Sequence, residues 1–132
     1  MDTKAAIHVA IVDDHTLLRN ALAKLIESFD NFSVAFEAAN GEELKQLLVK
    51  KYIPDIILLD VNMPGMNGFE TAEWLYKNYP QIKVLALSML GDENTIIRML
   101  KLGAKGYILK STDPEELELA LNSVMKKNFY LS

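Results

Sequence analysis

Residues 55–68 read DIILLDVNMPGMNG, four consecutive large aliphatic residues closed by a carboxylate and followed by a turn rich in glycine and proline. Ile56, Ile57, Leu58 and Leu59 leave no polar face, which suits a central parallel strand covered by helices on both sides. Similar apolar runs lie on either side of this stretch. The strand candidates are Ile7–Val12, Ser33–Ala38, Asp55–Asp60, Ile82–Ser88 and Lys105–Leu109. They alternate with amphipathic stretches at about Thr16–Ser28, Glu42–Lys50, Gly68–Asn78, Glu93–Leu102 and Pro114–Lys126. Such strand–helix alternation is the pattern of parallel α/β units.

Within the first helix, Leu17, Leu18, Ala21, Leu22, Leu25 and Ile26 recur at helical spacing and are expected on the buried face. The last helix carries its own punctuation. Asp113 is placed as N-cap, Pro114 at the first helical position and Glu115 and Glu116 at the positive end of the dipole, with Lys126 and Lys127 at the other end. Its core face is expected to be Leu117, Ala120, Leu121 and Val124. Gly103 ends the fourth helix, where a left-handed residue is often required.

The chain has 132 residues, half of them apolar, which fits a single domain with a real core. No internal repeat or linker interrupts it before about Lys127. It contains no cysteine, so disulfides, thiolate zinc sites and thiol nucleophiles are excluded. The formal charge of −4 argues against this segment gripping nucleic acid, which requires Lys and Arg to neutralise phosphates. Residues Met1 to Ala6 carry Asp2 and Lys4, and the apolar run behind them is stopped by Asp13. That is neither a signal peptide nor a membrane span, so no membrane role is expected and a cytoplasmic location is.

Ligands of open parallel sheets bind beyond the carboxyl ends of the strands. Here the first strand ends in Asp13 and Asp14, the third in Asp60 and the fourth in Ser88, while the fifth runs into Lys110. Three carboxylates in one pocket repel one another until a proton or a cation relieves them. Oxygen ligands without His or Cys favour magnesium, with Lys110 balancing the remaining charge. The set suits phosphoryl transfer, in which Asp60 is the nucleophile and the other groups hold phosphoryl oxygens. The turn from Asn62 to Gly68, with Pro64 and Gly65, is expected to bring backbone close to the ion. Taken singly, the acidic pair reads as a helix cap, Lys110 as a solvated lysine and Ser88 as nothing in particular. The combination carries the argument.

From about Ile7 to Lys126 the chain resembles the receiver domains of two-component response regulators. The resemblance rests on IVDDH at 11–15, LLDVNMPGMNG at 58–68, LALSM at 85–89 and GYILKS at 106–111, in that order. It implies a flavodoxin-like (βα)5 fold, a doubly wound five-stranded parallel sheet in the order 2-1-3-4-5. It also implies that Asp60 accepts the phosphoryl group and that Mg2+ is held by Asp13, Asp14, Asp60 and the backbone carbonyl of Asn62. Ser88, Lys110 and Tyr107 take the places of switch hydroxyl, lysine and aromatic switch, although an aromatic in a strand is ordinarily packing. His8 and His15 are expected to be structural or surface residues. Met63, Met66, Met89 and Met99 are expected to fill gaps or line a partner surface.

The implied partner is a sensor histidine kinase, with a homodimer formed on phosphorylation as a further expectation. The chain is then no enzyme beyond its own phosphorylation and dephosphorylation. Phosphorylation would change the surface of the fourth helix, fifth strand and fifth helix. Residues 87–121 resemble receivers joined to helix-turn-helix DNA-binding domains of the LuxR or NarL type. The expected organisation is therefore one receiver spanning 1–132, with its core at about 7–127, and DNA contacted only through a C-terminal effector domain absent from this chain; a stand-alone receiver is the alternative.

Two positions depart from that family. Ser111 follows Lys110 where many receivers have proline, so a cis bond there is not assured. Met89 follows Ser88 where a small residue is common, and its bulk is expected to restrict water and slow dephosphorylation. Other classes fit less well. A flavodoxin needs a phosphate-binding loop where this chain has DDHT, a P-loop NTPase needs a motif that is absent, and an aspartate-nucleophile phosphatase needs a D-x-D pattern at the first strand. A receiver-like module that binds partners without accepting phosphate is the remaining alternative.

Overall fold

A computed structural model describes residues 6–50, 53–63, 67–89 and 92–130. The elements are β1 (Ile7–Val12), α1 (Thr16–Ser28), β2 (Phe32–Ala38), α2 (Gly41–Lys50), β3 (Ile56–Asp60), α3 (Gly68–Asn78), β4 (Lys83–Ser88), α4 (Glu93–Lys101), β5 (Gly106–Leu109) and α5 (Pro114–Lys127). Each boundary falls within one residue of the sequence expectation. All neighbouring strands are parallel, in the order β2-β1-β3-β4-β5. This is the flavodoxin-like arrangement, with β3 at the centre and buried at every position.

Alternation along the strands builds a core on each face of the sheet. Val9, Ile11, Ile56, Leu58, Leu85 and Leu87 pack with Ala23 and Ile26 of α1 and Leu117, Ala120, Leu121 and Val124 of α5. Ala10, Val12, Ile57, Leu59, Val84 and Ala86 face the other way, onto Leu44 and Leu48 of α2, Ala72 and Leu75 of α3 and Met99 of α4. Burying a side chain such as Leu58 contributes about 1.5–3 kcal/mol.

The inward face of α1 differs in part from the expectation. Leu17 is 85% exposed and Ala21 is exposed, while the buried residues are Ala23 and Ile26. Leu22, Leu25 and Ile26 of the expected face do pack on the core, together with Ala23, and Arg19 also turns toward the sheet. Its guanidinium donates from Nη1 to the Asp13 carbonyl at 2.7 Å and from Nε to Glu37 Oε1 at 3.0 Å. A count of apolar side chains gives no weight to an inward arginine.

The helix ends are fixed largely as the sequence predicts. Asp113 caps α5 by accepting from the Glu116 amide, with Pro114 next to it, and Asn128 closes the helix in the left-handed region at φ 69°. Gly103, at φ 103°, follows α4. Asn67 and Glu70 form a reciprocal capping box on α3. Beyond α5 the chain returns to the edge of the sheet, where Tyr130 forms a parallel bridge with Gly106 and donates its amide to the Lys105 carbonyl at 2.9 Å. No peptide bond among the described residues is cis, including the one after Lys110. No helix among them is long and apolar enough to cross a membrane.

Candidate functional site

The sheet register brings the four strand ends together. Val12 pairs with Leu59, Asp60 with Leu87 and Ser88 with Leu109, so the residues at or just after these ends share one rim. Backbone bonds continue across it. The Asp13 amide donates to the Ala38 carbonyl, Val61 to Leu87 and Lys110 to Ser88, at 3.0, 3.0 and 2.8 Å. A side chain at Gly68 would come within 2.6 Å of the Asp60 carbonyl oxygen and of Val61 Cα. Glycine there lets the start of α3 lie directly against the end of β3.

Asp13 and Asp60 have no exposed surface, and Ser88 is buried. Lys110 reaches between the two carboxylates, with Nζ 3.2 Å from Asp13 Oδ2 and 3.0 Å from Asp60 Oδ2. These are ion-pair distances without hydrogen-bond geometry. Asp13 Oδ2 and Asp60 Oδ2, and Asp14 Oδ1 beside them, accept no hydrogen bond from any described residue. The other Asp60 oxygen, Oδ1, accepts the Asn62 amide at 3.1 Å.

The electrostatics follow from this geometry. Burial raises the Asp60 carboxyl from 3.8 to about 6, and the Asp13 charge adds to the rise, against the lowering effect of the Lys110 ammonium and the Asn62 amide. One ammonium for two buried carboxylates and a third beside them leaves a negative site suited to a divalent cation. The donors are predominantly hard oxygens, as magnesium requires.

The residues named from sequence thus converge where Asp13, Asp14, Asp60 and Lys110 are concerned. Ser88 ends β4 at the same rim. Tyr107 is half-buried in β5 and packs against the core on the α2–α4 face. Asn62 meets Asp60 through its amide. The expected backbone approach at Pro64 and Gly65, and Met66, lie outside the described residues. Met63 and Met99 are buried as gap fillers, whereas Met89 is 60% exposed.

Sequence reasoning passed over two participants. Arg19 anchors the β1–α1 loop through the Asp13 carbonyl, as its place one turn into the helix allows. His15, expected to be structural or on the surface, is exposed, and its Nδ1 lies 3.1 Å from Asp13 Oδ1 and 3.1 Å from Lys110 Nζ. Its position next to the acidic pair was the available signal.

Comparison with known proteins points the same way. The family described as response regulator receiver domain matches residues 9–122. The transcriptional regulatory protein DegU of Brevibacillus brevis is 39% identical over 125 residues, covering 95% of this chain and 52% of DegU. The nitrate/nitrite response regulator protein NarL of Escherichia coli is 36% identical over 132 residues, covering all of this chain and 61% of NarL. The chain thus spans between half and two thirds of the length of these relatives. Among solved structures, a LuxR-family two-component response regulator from an Aurantimonas species superposes with a TM-score of 0.88 at 27% identity, covering 97% of this chain and 90% of that one.

Proposed function

The chain belongs to the response regulator receiver family, and on that premise we propose that Asp60 accepts a phosphoryl group from a sensor histidine kinase. The observation that carries this reading is the meeting of Asp13, Asp60 and Lys110 within 3.2 Å contacts at the carboxyl rim of a parallel sheet. An Asp60 oxygen attacks phosphorus as the bond from phosphorus to the donor imidazole breaks, and the imidazole leaves with that electron pair. Asp60 attacks as the carboxylate, which predominates at neutral pH with its pKa near 6.

The Asp60 side chain is almost wholly shielded, and Lys110 Nζ stands 3.0 Å from Oδ2. Entry of the phosphoryl group therefore moves this ammonium aside, from the carboxylate oxygen to a phosphoryl oxygen. The Asn62 amide keeps Asp60 oriented through Oδ1. Asp13, Asp14, Asp60 and the backbone carbonyl of Asn62 would hold magnesium, and the three carboxylate oxygens without hydrogen bonds fit that role. When bound, the ion supplies positive charge to the transferred oxygens.

Ser88 donates its hydroxyl to the new phosphoryl group, and Tyr107 follows by shifting its packing in β5. The switched surface is that of α4, β5 and α5, and the change is a population shift between two packed states. Residues 1–132 then act as one receiver, working in the cytoplasm and able to pair with a second copy when phosphorylated. A C-terminal DNA-binding domain executes the output in transcription, a reading supported by the names and greater lengths of DegU and NarL.

Incubation with magnesium and acetyl phosphate tests the central step. Intact mass spectrometry is expected to show the gain of one phosphoryl group in the native chain and none in Asp60→Asn. No gain in the native chain, or a gain surviving the substitution, would refute the assignment.

A further inference from the structure

His15 occupies a position in which each of its hydrogen-bonding states is opposed by one neighbour. Its Nδ1 stands 3.1 Å from Asp13 Oδ1 and 3.1 Å from Lys110 Nζ, with Asp14 Oδ1 at 3.8 Å. If Nδ1 carries the proton it suits the carboxylate and points its hydrogen at an ammonium. If Nδ1 is bare it accepts from Lys110 and turns a lone pair on the Asp13 oxygen. Packing does not impose this position, since the side chain is 58% exposed. A divalent cation resolves it, because the lone pairs of nitrogen and carboxylate oxygens then converge on one positive centre.

A second observation points to the same place without reference to the ring. Asp13 and Asp60 are fully buried, and their Oδ2 atoms, with Asp14 Oδ1, accept no hydrogen bond from any described residue. One ligand atom from each of Asp13, Asp14, His15 and Asp60 lies within 4.8 Å of the others. Tetrahedral ligand bonds of about 2.0–2.2 Å place the ligand atoms about 3.3–3.6 Å from one another, so a closure of up to about 1.5 Å brings the set onto one ion.

We propose that His15 Nδ1 is a ligand of this acidic site, giving it a preference for borderline first-row cations such as Zn2+ over Mg2+. The proposal rests on the reading that the acidic cluster takes a divalent cation, and adds a nitrogen donor to it. Imidazole is a good ligand for zinc and nickel, whereas magnesium favours oxygen and keeps its waters. The functional consequence is competition: a transition cation held by His15 occupies the place the phosphorylation reaction needs for magnesium.

Long-range proton–nitrogen NMR of the 15N-labelled chain reads this directly, because the protein has two histidines and His8 serves as an internal reference. Zinc is expected to shift His15 Nδ1 strongly while magnesium does not. Calorimetry is expected to show zinc affinity falling in His15→Ala by at least about tenfold, the lower end of what loss of even an outer-shell partner of a ligand costs, with magnesium affinity retained. A His15 Nδ1 signal unmoved by saturating zinc, or equal zinc affinity in the two proteins, would overturn the proposal. If magnesium binds in that case, the phospho-acceptor reading stands and the histidine ligand alone falls; if neither cation binds, both fall.

Discussion

Replacing Asp60 by asparagine isolates the energetic cost of holding a second carboxylate in a buried, under-neutralised rim. The folded chain binds the Asp60 proton more tightly than the unfolded chain, with a pKa raised from 3.8 to about 6 chiefly by burial. Between those values the folded state carries a proton that the unfolded state has released. Stability therefore declines as pH rises through this window and levels off above it. A rise of about two units at about 1.4 kcal/mol each makes the ionised side chain cost about 3 kcal/mol at pH 7.5. Asparagine keeps an oxygen for the Asn62 amide and removes the charge, leaving Lys110 paired with Asp13.

In chelator, Asp60→Asn is expected to exceed the native chain by about 3 kcal/mol at pH 7.5, or roughly 10 °C in Tm. The advantage should shrink to about half at pH 5 and disappear below the ordinary carboxylate range. Saturating magnesium should narrow the gap at neutral pH, because the ion stabilises the folded native chain by mass action. Urea titrations at several pH values measure all three effects. An asparagine variant no more stable than native at pH 7.5, or an advantage unchanged between pH 4 and 7.5, would refute the electrostatic account.

Gly106→Ala places a Cβ against the Tyr130 carbonyl oxygen, so the returning tail must lift from β5. Loss of the Tyr130 burial is expected to cost about 1.5–3 kcal/mol, with faster hydrogen exchange at the Tyr130 amide; unchanged exchange would contradict it. Arg19→Met removes the bonds to the Asp13 carbonyl and Glu37. About 1.5–3 kcal/mol of stability should go with them, together with divalent affinity, as urea titration and calorimetry would show; retention of both would mean that the loop holds itself. Met89→Ala should shorten the lifetime of the phosphorylated chain, followed by decay of the phosphoryl mass increment, and a native half-life no longer than that of the variant would dismiss the shielding role of Met89.

Local sequence was enough for the elements, because strands and helices are specified by patterns a few residues long, whereas the strand order was implied by the resemblance to receiver domains. The unbroken run from Ile56 to Leu59 marked the centre of the sheet, and Asp113, Pro114 and Gly103 marked helix ends, since caps act on backbone within a turn. The rim residues Asp13, Asp14, Asp60, Ser88 and Lys110 were legible for a related reason: the ends of adjacent parallel strands must lie side by side. Tertiary structure alone decided what depends on segments far apart in the chain. Arg19 ties α1 to the loop after β1 and to β2, and Tyr130 closes the edge at Gly106. His15 meets Lys110 across ninety-five residues, and Asp60 acquires its raised pKa only when burial removes water from a site that also holds Asp13. Periodicity records which side a residue favours, whereas the free energy of a charge depends on neighbours that only the folded register supplies.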